Sequence, residues 1–238
     1  MWLYREALGK AGAVEELFDL LDGLLKDKGY LAMGGQIIDA TIVSAPKQPN
    51  SGEENETIKE GETPEDWKSK PAKNRQKDKD ARWTKKHERS YFGCKNHIGV
   101  DRRHKFVRRY VVSDASVHDS QKFEDVLDAS TASDVRAGSA YRSAEIEEKL
   151  AECGLKSRIH RRACRNRKLS ESQKAANTTR SKVRARVEHV FGDQKNGMGA
   201  ELVRTIGIVR ARCKIGMTNL VCNMRRFVCL ERMTAAAG

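Results

Sequence analysis

The pattern of apolar and polar positions in this chain predicts both helices and strands. In residues 14–25, apolar side chains recur at the three- and four-residue spacing of an amphipathic helix, which should end near Gly29. Residues 34–43 form an apolar run, rich in β-branched side chains and closed by Pro46, as expected for a buried strand. Asp39 is the one charged residue within that run.

The rest of the chain continues as a mixture of strands and helices. Residues 91–100 and 105–113 resemble two strands joined by a tight polar connection at 101–104, which predicts a hairpin. The elements predicted after it are a helix from His118, a strand at 134–140, a helix at 143–153, a strand at 155–160, a long helix opened by Ser170 or Ser181 and reaching about Lys195, and a helix at 209–232. This order predicts an α/β fold with a mixed sheet flanked by helices.

Residues 47–90 interrupt this pattern. The segment has no apolar periodicity, its first part contains turn-forming proline and glycine, and residues 73–89 form a basic stretch that includes Trp83. We therefore predict an irregular basic insertion after the first strand. Lys85, Lys86 and Trp83 would suit contact with a DNA backbone, although a merely solvated loop explains the composition equally well.

The charge balance indicates the kind of partner. Lysine and arginine number 46 against 33 aspartates and glutamates, giving a formal net charge of +13 and a pI near 9.6. Such an excess favours a polyanion, with nucleic acid as the first candidate and a basic surface without a binding role as the alternative. The length of 238 residues suits one large domain.

The cysteines and the N-terminal residues exclude several other classes. The six cysteines lack zinc-finger spacing, and their scatter predicts reduced thiols in a cytosolic protein. Charged residues interrupt the apolar N-terminal residues, so that neither a signal peptide nor a membrane span fits. We therefore expect a cytoplasmic protein without a membrane partner.

Two carboxylates are candidates for phosphodiester chemistry. An aspartate is costly to bury in a strand, so Asp39 needs backbone donors, an arginine or a metal ion. Glu188 lies between Arg184 and Lys195 at spacings that place all three on one helix face, although an ordinary ladder of salt bridges has the same pattern. Carboxylates from distant segments can hold two divalent cations that activate a nucleophile and stabilise a leaving oxygen.

Several further motifs occur in order along the chain. Residues 92–97 read FGCKNH, residues 112–120 read VSDASVHDS, and residues 223–227 read NMRRF. With the strand that carries Asp39 and the arginine, three residues, glutamate, six residues, lysine spacing, they resemble the DDE domain of bacterial insertion-sequence transposases of the insertion sequence four/five group. The likeness covers about residues 1–232.

This resemblance implies a ribonuclease-H-like fold and metal-dependent cleavage and strand transfer of DNA. It implies an N-terminal helical segment at 1–30 and a DDE domain at 31–238 that contains the insertion 47–90. Asp39 and Glu188 would be the catalytic residues and would bind two Mg²⁺ or Mn²⁺ ions. The DNA-contacting residues would be Arg184, Lys195, Lys85, Lys86, Trp83, Tyr141 and Arg142. The implied partners are double-stranded DNA, as transposon ends and target, and further copies of the chain, and the implied location is the bacterial nucleoid.

One motif departs from the family pattern. Family members read Ala-Asp-Ser-Ala-Tyr-Arg-Ser where residues 137–143 read AGSAYRS, so that Gly138 stands in place of the second catalytic aspartate. The site would keep two of its three carboxylates. Asp134 is four residues upstream, about 13 Å away at about 3.3 Å per residue, and therefore too far to replace it. Asp114 and Asp119 are closer to a loop and could in principle help, but we expect them to cap the helix that follows.

Three functions remain open at this stage. The first is a transposase that folds and binds DNA but cleaves poorly because of Gly138. The second is a non-catalytic DNA-binding remnant that occupies transposon ends. The third is a general nuclease, which shares the metal chemistry but should show no preference for repeat ends. Members of this group usually carry a further helical DNA-binding segment before the region that begins here, so we also expect a truncated reading frame.

Overall fold

The computed structural model describes residues 2–30, 34–45, 48–129, 133–164 and 168–236. Within these ranges the chain forms nine α-helices and six β-strands, which confirms the predicted α/β fold. The helices are α1 (Trp2–Lys10), α2 (Ala13–Asp27), α3 (Gly52–Lys59), α4 (Glu65–Lys68), α5 (Pro71–Gln76), α6 (Phe123–Val126), α7 (Ala144–Glu152), α8 (Glu171–Gly192) and α9 (Ile208–Ala235). The strands are β1 (Gln36–Ser44), β2 (Arg82–Lys86), β3 (Arg89–Asp101), β4 (Val107–Asp114), β5 (Asp134–Ala137) and β6 (Lys156–Ser157).

The six strands form one mixed sheet with β1 at its centre. The order is β2-β3-β1-β5-β6, and β4 pairs with the second half of β3. β1 is antiparallel to β3 along its whole length and parallel to β5 through Gln36, Ile37 and Ile38. Because side chains alternate along a strand, Ile37 and Ile38 enter two different core clusters, one on each face of the sheet.

Helices cover both faces of the sheet. On one face, Ile37 packs with Phe18 of α2, Val187 of α8 and Leu220 of α9. On the other face, Ile38 packs with residues of α6 and α7. Since α2 shares a core with the sheet, the first 30 residues are packed against the DDE region. The division between 1–30 and 31–238 stays a prediction, and residue 31 lies outside the described residues.

The β3–β4 hairpin confirms the predicted pair of strands. Its turn is held by Asp101, whose carboxylate accepts hydrogen bonds from His104 N at 2.6 Å and Phe106 N at 3.0 Å. Lys105 in this turn has a φ of 64°. Asp101 is fully buried and is also in ion-pair range of Arg108, so the polar connection anchors the hairpin inside the protein.

The insertion is folded, which corrects the irregular segment that we predicted. α3, α4 and α5 form it, and β2 then joins the edge of the sheet beside β3. Trp67 is fully buried, and its Nε1 donates to Glu54 Oε1 at 2.7 Å. A buried tryptophan and a network of charged groups therefore stabilise the insertion. It has no apolar periodicity, and for that reason we predicted a loop. The predicted start of the insertion at Lys47, and the strand-closing Pro46, lie outside the described residues.

The long helix near the site begins where the first of the two predicted caps lies. Ser170 and Gln173 form a capping box at the start of α8, and the helix continues past Gly192 as a π-helical turn, Asp193–Gly197. The helix predicted from His118 is a 3₁₀ turn followed by the single turn of α6. Of the helices in the described part of the chain, none has the length and apolar character needed to cross a membrane.

Candidate active site

The structure brings the predicted catalytic residues together. Asp39 and Glu188 line one cavity of about 570 Å³, although 149 positions separate them in the sequence. Gly138, Arg184 and Lys195 line the same cavity. Five residues that the motifs singled out, from three distant segments, thus share one concave surface.

The topology explains this convergence. Asp39 is in the middle of the central strand β1, and Gly138 directly follows β5, the parallel neighbour of β1. Arg184 and Glu188 are one turn apart on α8, which packs against β1. The π-helical turn then carries Lys195 to the cavity. Residues on a central strand, a neighbouring strand end and a covering helix therefore meet at one place.

Arg184 neutralises Asp39 directly. Its Nη1 lies 2.7 Å from Asp39 Oδ2, while Asp39 Oδ1 accepts a hydrogen bond from Ala40 N at 3.0 Å. Burial raises the pKa of Asp39 above its usual value even though the Arg184 guanidinium opposes the rise, and the nearby Glu188 carboxylate adds to it. Two carboxylates and one guanidinium are therefore electrostatically coupled in this cavity.

Gly138 leaves open space beside this pair. Its φ of −67° and ψ of 167° are accessible to any residue. Of the residues that the structure describes, a Cβ at this position would come within 4 Å of Arg184 Nη1 alone, at 3.7 Å, which is an ordinary contact. The backbone therefore does not require glycine at this position, and a side chain can begin here beside Arg184 without a clash at its Cβ.

Asp119 is a cavity residue to which sequence reasoning gave another role. We predicted that Asp114 or Asp119 caps the helix, but the His118 side chain is the N-cap of the 3₁₀ turn and accepts from Ser120 N. Asp119 instead lines the candidate site, and its Oδ1 lies 2.8 Å from Lys95 Nζ. Its place within the family-like VSDASVHDS motif was the available signal.

The three residues of the insertion that were predicted to contact DNA, Lys85, Lys86 and Trp83, divide into two groups. Lys86 lines the site cavity, and Lys85 lines a smaller adjoining cavity together with Lys86 and Asp119. Trp83 is 39% exposed, but its Nε1 donates to Asn50 O at 2.7 Å. The Trp83 ring also packs on Phe92, with 5.4 Å between ring centroids. The tryptophan thus stabilises the insertion, whereas the lysines face the site.

Tyr141 and Arg142 also differ in accessibility. Tyr141 lines the site cavity, but it is only 2% exposed and packs near Phe123, so that most of its side chain is in the core; the DNA contact that the resemblance implied stays a prediction. Arg142 is partly exposed, and its Nη1 lies 3.2 Å from Glu147 Oε1 and 3.3 Å from Ile159 O. The AYR motif by itself gave no indication that Tyr141 packs in the hydrophobic core.

The residues present do not fit a pair of divalent ions. Magnesium prefers several oxygen ligands in near-octahedral geometry. Asp39 already has one oxygen on Arg184 and the other on a backbone N–H, and Gly138 supplies none. The described residues contain no group of three or more His, Cys, Asp or Glu side chains that could hold a metal ion. We therefore assign no chemical step to a metal in the chain as it stands.

The fold and the site define a ribonuclease-H-like domain, in which a central strand and a covering helix carry the two acidic residues. The family model described as the transposase DDE domain matches residues 31–224, and the chain belongs to this family. DDE transposases are DNA endonucleases and strand transferases that generally use divalent metal ions.

A curated relative supports this assignment over nearly the whole chain. The chain is 28% identical over 242 residues to the transposase for insertion sequence element IS1106 of Neisseria meningitidis serogroup B. The match covers 99% of this chain and 79% of that protein. No solved structure matches the chain.

Proposed function

We propose that this chain is a transposase domain that binds transposon-end DNA and whose strand cleavage is severely reduced by Gly138. The observation that carries the proposal is the arrangement around that glycine. Asp39 and Glu188 share a cavity with Gly138, and among the described residues the Arg184 guanidinium is the one group within 4 Å of a Cβ at 138. The proposed defect is therefore a missing ligand within an otherwise assembled site.

The basic residues of the cavity support the DNA-binding part of the proposal. Arg184, Lys195 and Lys86 line the same cavity as the two acids. Guanidinium and ammonium groups favour phosphate oxygens, and such contacts position a DNA backbone without reading its sequence. The net charge of +13 acts in the same direction. We also propose that the chain oligomerises on DNA and associates with the nucleoid.

The missing carboxylate matters because the Arg184 guanidinium cannot take over the chemical role of a metal ion. In an intact family site, we propose that three carboxylates hold two Mg²⁺ or Mn²⁺ ions, which supply nucleophile activation and leaving-group stabilisation. Arg184 neutralises Asp39 at 2.7 Å. A guanidinium has only donors and does not deprotonate, so it can bind phosphate but cannot activate an attacking hydroxyl.

The decisive experiment restores the missing acid. The parent chain, Gly138→Asp and Gly138→Asn are incubated with plasmid DNA carrying candidate terminal repeats, in the presence of Mg²⁺ or Mn²⁺. We expect Gly138→Asp to raise metal-dependent nicking by about 10²-fold or more, in line with the loss of one preorganised electrostatic group in enzymes. Gly138→Asn has nearly the same shape without the charge and should remain as inactive as the parent. Equal nicking by the parent and Gly138→Asp would contradict the proposal.

The Arg184–Asp39 ion pair favours a second candidate, a non-catalytic protein that occupies transposon ends. In this case Arg184 neutralises Asp39 permanently, and the protein binds DNA without cutting it. The chain should then protect repeat ends with a steep dependence on salt, and Gly138→Asp should still fail to cut. A general nuclease would instead nick plasmids with and without repeat ends equally.

A further inference from the structure

A cluster of basic side chains lies directly beside the candidate site. We define the basic cluster as Arg142, Arg161, Arg162, Lys168 and Arg180. Arg142 Nη1 and Arg180 Nη1 both donate to the same acceptor, Ile159 O, at 3.3 Å and 3.0 Å. Four of these residues, Arg142, Arg161, Arg162 and Lys168, line a cavity of about 200 Å³ that is separate from the site cavity.

Acidic side chains do not balance this charge. Among the residues that the structure describes, the basic cluster has one ion pair, between Arg142 and Glu147 at 3.2 Å. Burial lowers the pKa of Arg180, and the guanidiniums of Arg161 and Arg142 lower it further. Like charges held this close repel one another, and an anion bound among them would remove that repulsion.

The backbone of one member of the basic cluster, Arg161, is bonded to α8. Asn177 on α8 accepts a hydrogen bond from Arg161 N at 3.0 Å and donates one to Arg161 O at 2.9 Å. These paired bonds attach the loop after β6 to the helix that carries Glu188. The Arg161 backbone is thus held in a defined position relative to the helix that carries Glu188, which reduces the ordering cost of binding a ligand there.

The basic cluster continues the wall of the site cavity along two segments. Tyr141 and His160 line the site cavity, while the next residues in sequence, Arg142 and Arg161, line the basic cavity. Because each pair of neighbouring residues has one member in each cavity, the two cavities adjoin along this wall. A strand whose phosphate lies in the site would therefore place its next phosphates near the basic cluster.

We infer that the basic cluster binds the backbone phosphates of the DNA strand that continues past the scissile position. This inference rests on the proposed function, since it requires that DNA enters the site. Arginine presents planar pairs of donors that match phosphate oxygens, and such contacts fix the register of DNA regardless of base sequence. The role of these residues is therefore to position the strand, and they take no part in the chemistry.

The test compares two double variants that each remove two positive charges. Arg161→Ala/Arg162→Ala removes exposed members of the basic cluster. The control, Arg109→Ala/Arg232→Ala, removes exposed arginines from β4, at the opposite edge of the sheet from β6, and from the end of α9. Binding to a fluorescent duplex carrying a candidate end is measured by anisotropy over a series of salt concentrations.

We expect the Arg161→Ala/Arg162→Ala variant to bind about tenfold more weakly at about 0.1 M salt. The slope of log K against log salt should become shallower by about 1.8, which corresponds to two lost phosphate contacts. The control should remain within about twofold of the parent. A duplex cut off at the scissile position should show a smaller difference between parent and variant than a duplex that extends beyond it.

Each outcome separates the inference from the proposed function. If the parent binds DNA and the Arg161→Ala/Arg162→Ala variant behaves like the control, the inference is wrong and the proposed function stands. If the parent does not bind DNA, both are wrong. If the Arg161→Ala/Arg162→Ala variant binds inorganic phosphate more weakly than the parent but binds DNA equally well, the inference is also overturned. Should the first variant unfold, Arg162→Ala/Lys168→Ala, which changes only exposed side chains, provides the same comparison.

Discussion

Arg184 Nη1 and Asp39 Oδ2 lie 2.7 Å apart and join α8 to the central strand across 145 positions of the chain. Asp39 of this pair is one of the two carboxylates that we propose as metal ligands of an intact family site. Gly138 beside it has no side-chain oxygen that could compete for the guanidinium. The structure thus couples the stability of the fold to the charges of the candidate site.

Removing this guanidinium should destabilise the protein. Arg184→Ala leaves the largely buried Asp39 without its cationic partner, and we expect the free energy of unfolding at pH 7 to fall by about 1–3 kcal/mol. That estimate is below the usual cost for a fully buried pair, because the Arg184 side chain is 30% exposed. Urea-induced unfolding followed by circular dichroism measures the change.

The pH dependence of this loss has a defined sign. Burial raises the pKa of Asp39 in the folded protein, and loss of Arg184 should raise it further. The cost of the unpaired carboxylate is therefore present at neutral pH and diminishes as the pH falls through the folded pKa and Asp39 becomes protonated. Lys182→Ala, an exposed change on the same helix, is the control. A loss that is constant with pH would contradict this account.

The sequence predicted the site better than it predicted the insertion, and the reason is physical. A charged residue within an apolar run, and an arginine, a glutamate and a lysine at helical spacing, are local signals, and the topology of the sheet then brings them together. The insertion has no such signal, because its stability comes from contacts between residues far apart in sequence. Trp67, Glu54 and Lys77 meet only in the folded chain.

Two individual residues show the same limit. Asp119 could be assigned to a helix end from its neighbours in sequence, but its partner Lys95 comes from a strand 24 positions earlier. Tyr141 belongs to a motif that suggested contact with DNA, yet it is 2% exposed because it packs in the cluster that contains Phe123 and Leu150. Local patterns therefore identified the important segments but not the direction of each side chain.

Two glycine substitutions should have opposite effects on stability. Gly138 has a backbone conformation open to any residue, and within the described part of the chain an added Cβ would have one contact, at 3.7 Å. Gly138→Ala should therefore raise the free energy of unfolding by about 0.4–1 kcal/mol, because it restricts the unfolded chain. A decrease of more than about 1 kcal/mol in the free energy of unfolding would show that position 138 has no room for a side chain, and would undermine the Gly138→Asp experiment.

Gly93→Ala provides the matched contrast. A Cβ at this position would lie 2.2 Å from Val43 O, in the backbone of the neighbouring strand. Because neither strand can move without breaking the β1–β3 pairing, we expect a loss of at least about 2 kcal/mol. Thermal unfolding of both variants beside the parent provides the comparison.

The charged network of the insertion should make its stability dependent on pH. Burial of Glu54 acts to raise its pKa, but hydrogen bonds from Ser51 N, Trp67 Nε1 and Lys77 Nζ outweigh it and lower the pKa to about 2. The stabilisation from this lowered pKa is present above the unfolded value of 4.5 and is lost as the pH falls from 4.5 towards 2.

Glu54→Gln tests this network. The amide cannot provide the charged acceptor, so the free energy of unfolding at pH 7 should fall by about 2 kcal/mol. The difference from the parent should shrink between pH 4.5 and about 2, where the parent also loses the charge. Glu53→Gln, an exposed change in the same helix, should have an effect within about 0.5 kcal/mol. Equal effects of the two variants would refute the role of Glu54.

Finally, substitutions in β2 should separate contact with DNA from support of the fold. Lys86 lines the site cavity and Lys85 an adjoining one, so Lys85→Ala/Lys86→Ala should weaken binding to duplex DNA by about tenfold. Trp83→Phe keeps an aromatic ring against Phe92 but loses the bond to Asn50 O, and should cost about 1 kcal/mol of stability. Its DNA affinity should stay within about twofold of the parent. Anisotropy titrations and urea unfolding of both variants decide the matter, since a larger loss of affinity in Trp83→Phe would mean that the ring itself contacts DNA.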